Sequence, residues 1–210
     1  MTRRALVLLI VALAGCSLSP VHYPTLNEHP LTLRQGDLES AGIAFVTPST
    51  VTGQEQERQA VALTFTDAMT KARPGVKVVS LADTLSAVNR AGLVDAYQHM
   101  YDHYRTTGLL PADVLRRLGS ATGARYIAQL NLQGFVQNSK NRLGVLGLRI
   151  IETQIGDLRL FLQIWDSRDG SIAWEAMEEL RIAMDTTKEE PIMLRTLLER
   201  SAQDLIAKLP

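Results

Sequence analysis

Hydrophobic and polar positions change period several times along the chain, and each change marks an element. Ile43-Ala44-Phe45-Val46 is a short apolar run stopped by Pro48, the pattern of a buried strand. Val61, Phe65, Ala68, Met69 and Ala72 then fall at i, i+4, i+7, i+8 and i+11, one face of a helix that Pro74-Gly75 terminates. Val76 to Leu81 reads as a second strand. Asp83 is placed to cap a short helix carrying Leu85 and Val88, and a further helix runs from about Leu93 to Arg105 and stops before Gly108. Pro111 opens another, with Leu115 and Leu118 inward and Gly123 at its end.

Beyond Gly123 the period drops to two. Ala128, Leu130, Leu132 and Val136 alternate with Gln129, Asn131 and Gln133, as in a half-buried antiparallel strand. Leu158, Leu160, Leu162 and Ile164 alternate again, Asp166 to Gly170 is a turn, and Ile172, Trp174 and Ala176 continue on a return strand, so this is a hairpin. After a polar stretch around Thr186 to Glu190, Pro191 starts a C-terminal helix with Leu194, Leu197, Leu198, Leu205 and Ile206 on one face. The order predicts an α/β fold: a mixed sheet, with an early βαβ part and later antiparallel strands, covered by helices in a single domain over residues 41–210. Pro20, Pro24 and Pro30 among unpatterned polar residues make 16–40 an expected flexible tether.

The first fifteen residues belong to neither. Met-Thr-Arg-Arg followed by eleven small or apolar residues, Ala5 to Gly15, matches a secretory signal and is too short for the roughly 20 residues of a membrane span. Its end, Leu13-Ala14-Gly15-Cys16, resembles a bacterial lipobox, which implies cleavage before Cys16 and covalent acylation of that residue with palmitate-type chains. The sorting pattern of such lipoproteins, with Ser17 rather than aspartate after the cysteine, implies the periplasmic face of the outer membrane. With 22 basic and 22 acidic residues in 210 the chain is neutral, which removes nucleic acid from the partners. One cysteine leaves no intramolecular disulfide and no thiolate-rich zinc site.

Several segments taken in order resemble the curli-secretion-channel lipoprotein family and its relatives, the penicillin-binding-protein activator lipoproteins and the N-terminal domain of the Tol translocation protein. They are Ile43 to Val46, Leu118-Gly119 leading to Gly123-Ala124-Arg125-Tyr126-Ile127, Leu160 to Asp166 with Gly170 and Trp174, and Glu190 to Leu194. The resemblance implies a non-enzymatic envelope lipoprotein: an adaptor or assembly component with a protein partner, or a subunit of an oligomeric curli-type secretion pore. A pore of that family needs two spanning hairpins per subunit. Asn138 to Gln154, with Leu143-Gly144-Val145-Leu146-Gly147-Leu148, offers a loop or one short hairpin extension; where a second should lie, only Arg181 to Glu190 remain, bearing Asp185, Lys188, Glu189 and Glu190. The adaptor reading is therefore preferred, a homo-oligomer is left open, and the last strand is expected to span roughly Ser171 to Ala183.

No catalytic motif stands out. A nucleophile elbow, a Ser-x-x-Lys and a phosphate loop are all missing from the sequence, so no enzyme activity and no cofactor beyond the lipid on Cys16 are expected. His99 and His103 are four apart, the helical spacing of a two-histidine metal site, but lack the adjacent glutamate of a zincin and read better as a solvated helix face. Trp165 and Trp174 flank the turn that holds Asp166 and Asp169, and these four form the candidate partner surface, although packing against the sheet or its covering helices is the preferred reading for the tryptophans.

Overall fold

The computed structural model describes residues 20–145, 148–186 and 190–210, with the backbone alone for 141–145 and 148–151. Its strands are β1 (Val21–Pro30), β2 (Ile43–Phe45), β3 (Ser49–Thr50), β4 (Val78–Val79), β5 (Tyr126–Val145), β6 (Leu148–Asp166) and β7 (Ile172–Thr186). Its helices are α1 (Asp37–Ala41), α2 (Glu55–Ala72), α3 (Leu81–Arg90), α4 (Val94–Thr107), α5 (Ala112–Thr122) and α6 (Leu194–Ile206). All seven strands belong to one mixed sheet in the order β1-β7-β6-β5-β2-β4, with β3 pairing on β5 beyond the end of β2. The fold is α/β, as the sequence predicts.

The parallel pairs are β2 with β4, β2 with β5 and β3 with β5. Parallel neighbours need a crossover, which α2 supplies between β2 and β4, and α3, α4 and α5 supply between β4 and β5. Alternation of side chains sends one residue set to each face. Ile43, Phe45, Leu130, Leu160, Leu162, Trp174 and Leu180 pack against α2 and α6 through Val61, Phe65, Met69, Leu197, Leu198 and Leu205. Ala44, Val46, Ile127 and Trp165 face α3, α4 and α5, meeting Val88, Tyr97, Met100, Leu115 and Leu118. The second layer covers only the end of the sheet where β2, β4 and the start of β5 lie.

Several expectations are corrected. The tether assigned to 16–40 contains β1, paired antiparallel with β7 from Val21–Ala183 to Pro30–Trp174, and α1. Leu33 and Leu38 from the same stretch are buried in the core, and the Leu31, Thr32 and Leu33 amides all point to the Ala173 carbonyl. Proline in a polar stretch suggests a linker, yet Pro24 and Pro30 stand on an edge strand, where proline is tolerated. Asp83 is not the N-cap of α3: Ser80 is, its Oγ accepting from the Asp83 amide at 3.1 Å and lying 2.7 Å from the Asp83 carboxylate. The strand read from Val76 to Leu81 pairs only at Val78 and Val79. Val136 points out of the core, because an irregularity between Leu132 and Gly134 shifts the register and brings Phe135 to the inner face. The last strand runs to Thr186, three residues past the expected Ala183, and the closing helix begins at Leu194.

Candidate functional site

Trp165 and Trp174, neighbours of the same turn in sequence, are separated by the sheet. Ile164 stands opposite Trp174 and Trp165 opposite Ile172, with a register shift between them, so Trp174 enters the α2–α6 core and Trp165 the α3–α5 core. Both are at most 2% exposed. The surface expected from Trp165, Asp166, Asp169 and Trp174 is corrected accordingly: the tryptophans are core residues on opposite faces, and only the aspartates remain at the turn.

Asp166 is itself 5% exposed and structural. Arg125, just before β5, donates from Nε to both of its carboxylate oxygens at 3.1 and 3.0 Å and from Nη2 to Oδ2 at 2.5 Å. The Arg168 amide donates to Oδ1 at 3.0 Å, and the Ser167 amide to the Arg125 carbonyl at 2.9 Å. Hydrogen bonds to the Asp166 carboxylate, offset by some desolvation, raise the Arg125 guanidinium above its usual range. Asp169 is exposed and accepts from the Ser171 amide and hydroxyl, which lowers its carboxyl below the usual range.

Around this clasp lies a cavity of about 440 Å³ lined by Arg116, Gly119, Gly123, Arg125, Ser167 and Arg168, among others, with no acidic side chain in its wall. Its floor is tight: a side chain at Gly119 would collide with Ser167 Oγ. Gly123 holds the left-handed conformation that ends α5, and Lys77 Nζ donates to the carbonyls of Thr122 and Gly123 at 3.3 and 3.0 Å. No motif in the sequence pointed to this cavity, since its residues come from α5, the α5–β5 link and the β6–β7 turn.

The histidines do not form a centre. His99 and His103 are both exposed on α4, and His103 Nδ1 lies 3.0 Å from the Leu109 carbonyl and 3.0 Å from Thr107 Oγ1. Among the described residues no group of three or more His, Cys, Asp and Glu side chains gathers. The tyrosines of that helix turn inward: the Thr47 amide donates to Tyr97 Oη at 2.8 Å, and Tyr104 Oη donates to Gln163 Oε1 at 3.1 Å. Burial pushes the Tyr104 phenol up to about 12.

Where the α3–α5 layer stops, the outer halves of β1, β7, β6 and β5 keep one open face. Arg159 pairs with Glu179 at 2.6 Å and Arg181 with Asp157 at 2.6 Å, each directly across the β6–β7 ladder. Tyr23, Thr25 and Val136 flank these pairs around a groove of about 690 Å³. In the sequence these positions show only as the polar half of an alternating pattern.

Cys16 lies outside the described residues. Among the described residues no helix is long and apolar enough to cross a membrane.

No family model and no curated protein matches the chain. Among solved structures it is similar to the PelC dodecamer from Paraburkholderia phytofirmans, at 12% identity over 89% of this chain and 94% of that one, with a TM-score of 0.46. It is similar to lipoprotein GNA1162 from Neisseria meningitidis at 14% identity, over 80% and 98% of the two chains, with a TM-score of 0.40. The LpoB C-terminal domain from Salmonella enterica shares 17% identity over 68% of this chain and 91% of that one, with a TM-score of 0.39. All three likenesses are distant.

Proposed function

We propose that the protein is a cell-envelope lipoprotein, acylated at Cys16 and held to the periplasmic face of the outer membrane, that acts as a non-enzymatic adaptor or assembly component for a partner protein. The direction of β1 carries this reading. β5 and β7 run toward the free end of the β5–β6 hairpin, and β1, antiparallel to β7, runs away from it. The chain before Val21 therefore leaves the sheet at the hairpin end, and Cys16 stands five residues earlier, within about 17 Å of extended chain. A lipid on Cys16 gives the domain a membrane-proximal end, at the hairpin, and a membrane-distal end, at Arg125 and Asp166. Several acyl chains, at about 0.8 kcal/mol per buried CH₂, hold such a domain without any spanning segment.

The alternative is a subunit of an oligomeric curli-type secretion pore, and strand length weighs against it. Beyond the row Asn141–Glu152–Thr186, where β7 ends, the strands continue as a pair only through 142–145 and 148–151. Four residues a side, at about 3.3 Å each, reach about 13 Å, roughly half of the ~25 Å apolar band of an outer-membrane barrel. β7 stays in the domain sheet as far as Thr186, in the region where a second hairpin should start.

Replacing Cys16 with Ser tests the anchor. The protein should move from the membrane fraction to the periplasmic extract, and unchanged membrane association with an intact signal segment would overturn the proposal. Discrete conductance steps from the acylated protein in planar bilayers, abolished by charges at Val145 and Leu146, would replace the adaptor with the pore.

A further inference from the structure

We propose that the cavity beside the Arg125–Asp166 clasp is a docking site for a carboxylate side chain on an acidic peptide segment of the partner. The inference rests on the envelope reading above for what lies within reach of the cavity, and on the cavity itself for the chemistry.

Three guanidiniums line it, and one of them is already occupied, since Arg125 holds Asp166 through Nε and Nη2. Arg116 and Arg168 are exposed, and their guanidiniums have no hydrogen-bond or ion-pair partner among the described residues. Ser167 as a residue is 5% exposed and lines the same cavity, and its hydroxyl likewise has no partner among those residues. An unpartnered hydroxyl lining the same cavity as two free guanidiniums is a donor set without an acceptor, and a planar carboxylate matches it as Asp166 matches Arg125. The C-terminus of α5, which would repel an anion, is neutralised at this point by the Lys77 ammonium on its last carbonyls. Asp169, the other acidic residue of the turn, is engaged by Ser171.

Position selects the source of the anion. The cavity adjoins the Tyr126–Asp166 row, whereas Val21 lies in the row of Ala183, Ile155 and Asn138, twelve residues further along β5. At about 3.3 Å per residue that is about 40 Å, which takes the cavity out of reach of the phospholipid headgroups around the anchor and turns it toward the periplasm.

The test uses the mature chain carrying Cys16→Ser in low-salt buffer, so it reads the cavity whether or not the native chain is acylated. An N-acetylated, C-amidated hexapeptide with two adjacent glutamates is titrated in, and the amide signals of Gly119, Gly123 and Ser167 are followed. Saturable shifts are expected, with at least tenfold weaker binding for the Arg116→Ala/Arg168→Ala double variant and none for the peptide with glutamines in place of glutamates. Arg117→Ala, which removes the same charge from α5 outside the cavity, should change binding less than twofold. An equal loss with Arg117→Ala, an absence of saturable shifts, or tighter binding of inorganic phosphate or of anionic-lipid vesicles than of the peptide would each overturn the proposal.

Discussion

Arg125 and Asp166 close the β5–β6 pair at the end opposite the hairpin, two Nε bonds of 3.1 and 3.0 Å and one Nη2 bond of 2.5 Å joining the residue before one strand to the last residue of the other. The Arg125 guanidinium also lies over the Tyr126 ring, 5.1 Å from its centroid. Arg125→Ala leaves a nearly buried carboxylate with only the Arg168 amide for company. Loss of one partner of such a pair costs more than the pair contributes, and a destabilisation of about 2–4 kcal/mol is expected in urea unfolding. Asp166→Asn, which keeps the acceptor for that amide and removes the charge, should cost less, about 1–2 kcal/mol.

Stability should fall as pH rises through one buried acid. Glu178 of β7 faces α6 with 0% exposure beside Ser201, and among the described residues neither its carboxylate oxygens nor Ser201 Oγ has a partner in good hydrogen-bond geometry. Burial, with Asp204 adding repulsion and Ser201 and Arg200 pulling the other way, raises its carboxyl from 4.5 to about 7. Because the folded-state value lies above the unfolded one, the unfolded chain releases this proton first, and the group's contribution is lost between about pH 4.5 and 7. Glu178→Gln should unfold at higher urea than the native chain at pH 8, by about 1–3 kcal/mol, with the difference vanishing near pH 4.5. Parallel pH profiles for the two proteins would contradict it.

Gly119 sits inside α5, where alanine is ordinarily better by about 1 kcal/mol. Here a Cβ would collide with Ser167 Oγ and lie 3.3 Å from the Ala124 carbonyl, so overpacking, typically about 1–3 kcal/mol, opposes the helical gain. Gly119→Ala is expected to lower the thermal midpoint, and Gly119→Ala combined with Ser167→Gly to recover most of the loss. A thermal midpoint raised by the single change would show that α5 moves away freely.

Metal binding at α4 is expected to be absent. Two exposed imidazoles, one of them near Thr107 and the Leu109 carbonyl, do not make the three or four ligands that hold zinc. Protein purified without an affinity tag should carry substoichiometric zinc, and His99→Ala/His103→Ala should leave the unfolding midpoint unchanged. Stoichiometric zinc lost in that variant would reopen an enzymatic reading.

Periodicity alone located the elements that are strongly amphipathic. The i, i+4, i+7, i+8 spacing of Val61, Phe65, Ala68 and Met69 is that of α2, whose Val61, Phe65 and Met69 are buried; Leu115 and Leu118 fix the inner side of α5, and Leu197, Leu198 and Leu205 that of α6. These signals survive because a helix one turn long already shows which face must leave water. β1 was missed for the opposite reason: on an edge strand with most side chains in solvent, no apolar period is needed, and the pairing with β7 is made by backbone groups that every sequence has.

Alternation also set which strands of the later half are two-sided, and the sequence by itself therefore determined the α/β class, the hairpin and its turn, and the lipobox-like Cys16. Tertiary structure decided where each face goes. A single irregular step between Leu132 and Gly134 sends Phe135 inward and Val136 outward, and another between Ile164 and Trp165 turns Ile172 to the face opposite Trp174. A side-chain period of two makes every one-residue slip a change of face, and slips arise from how neighbouring strands meet, which no local pattern records. The cavity at Arg116, Ser167 and Arg168 depends on the same kind of long-range meeting, because residues some fifty apart come together only when α5 is laid against the turn after β6.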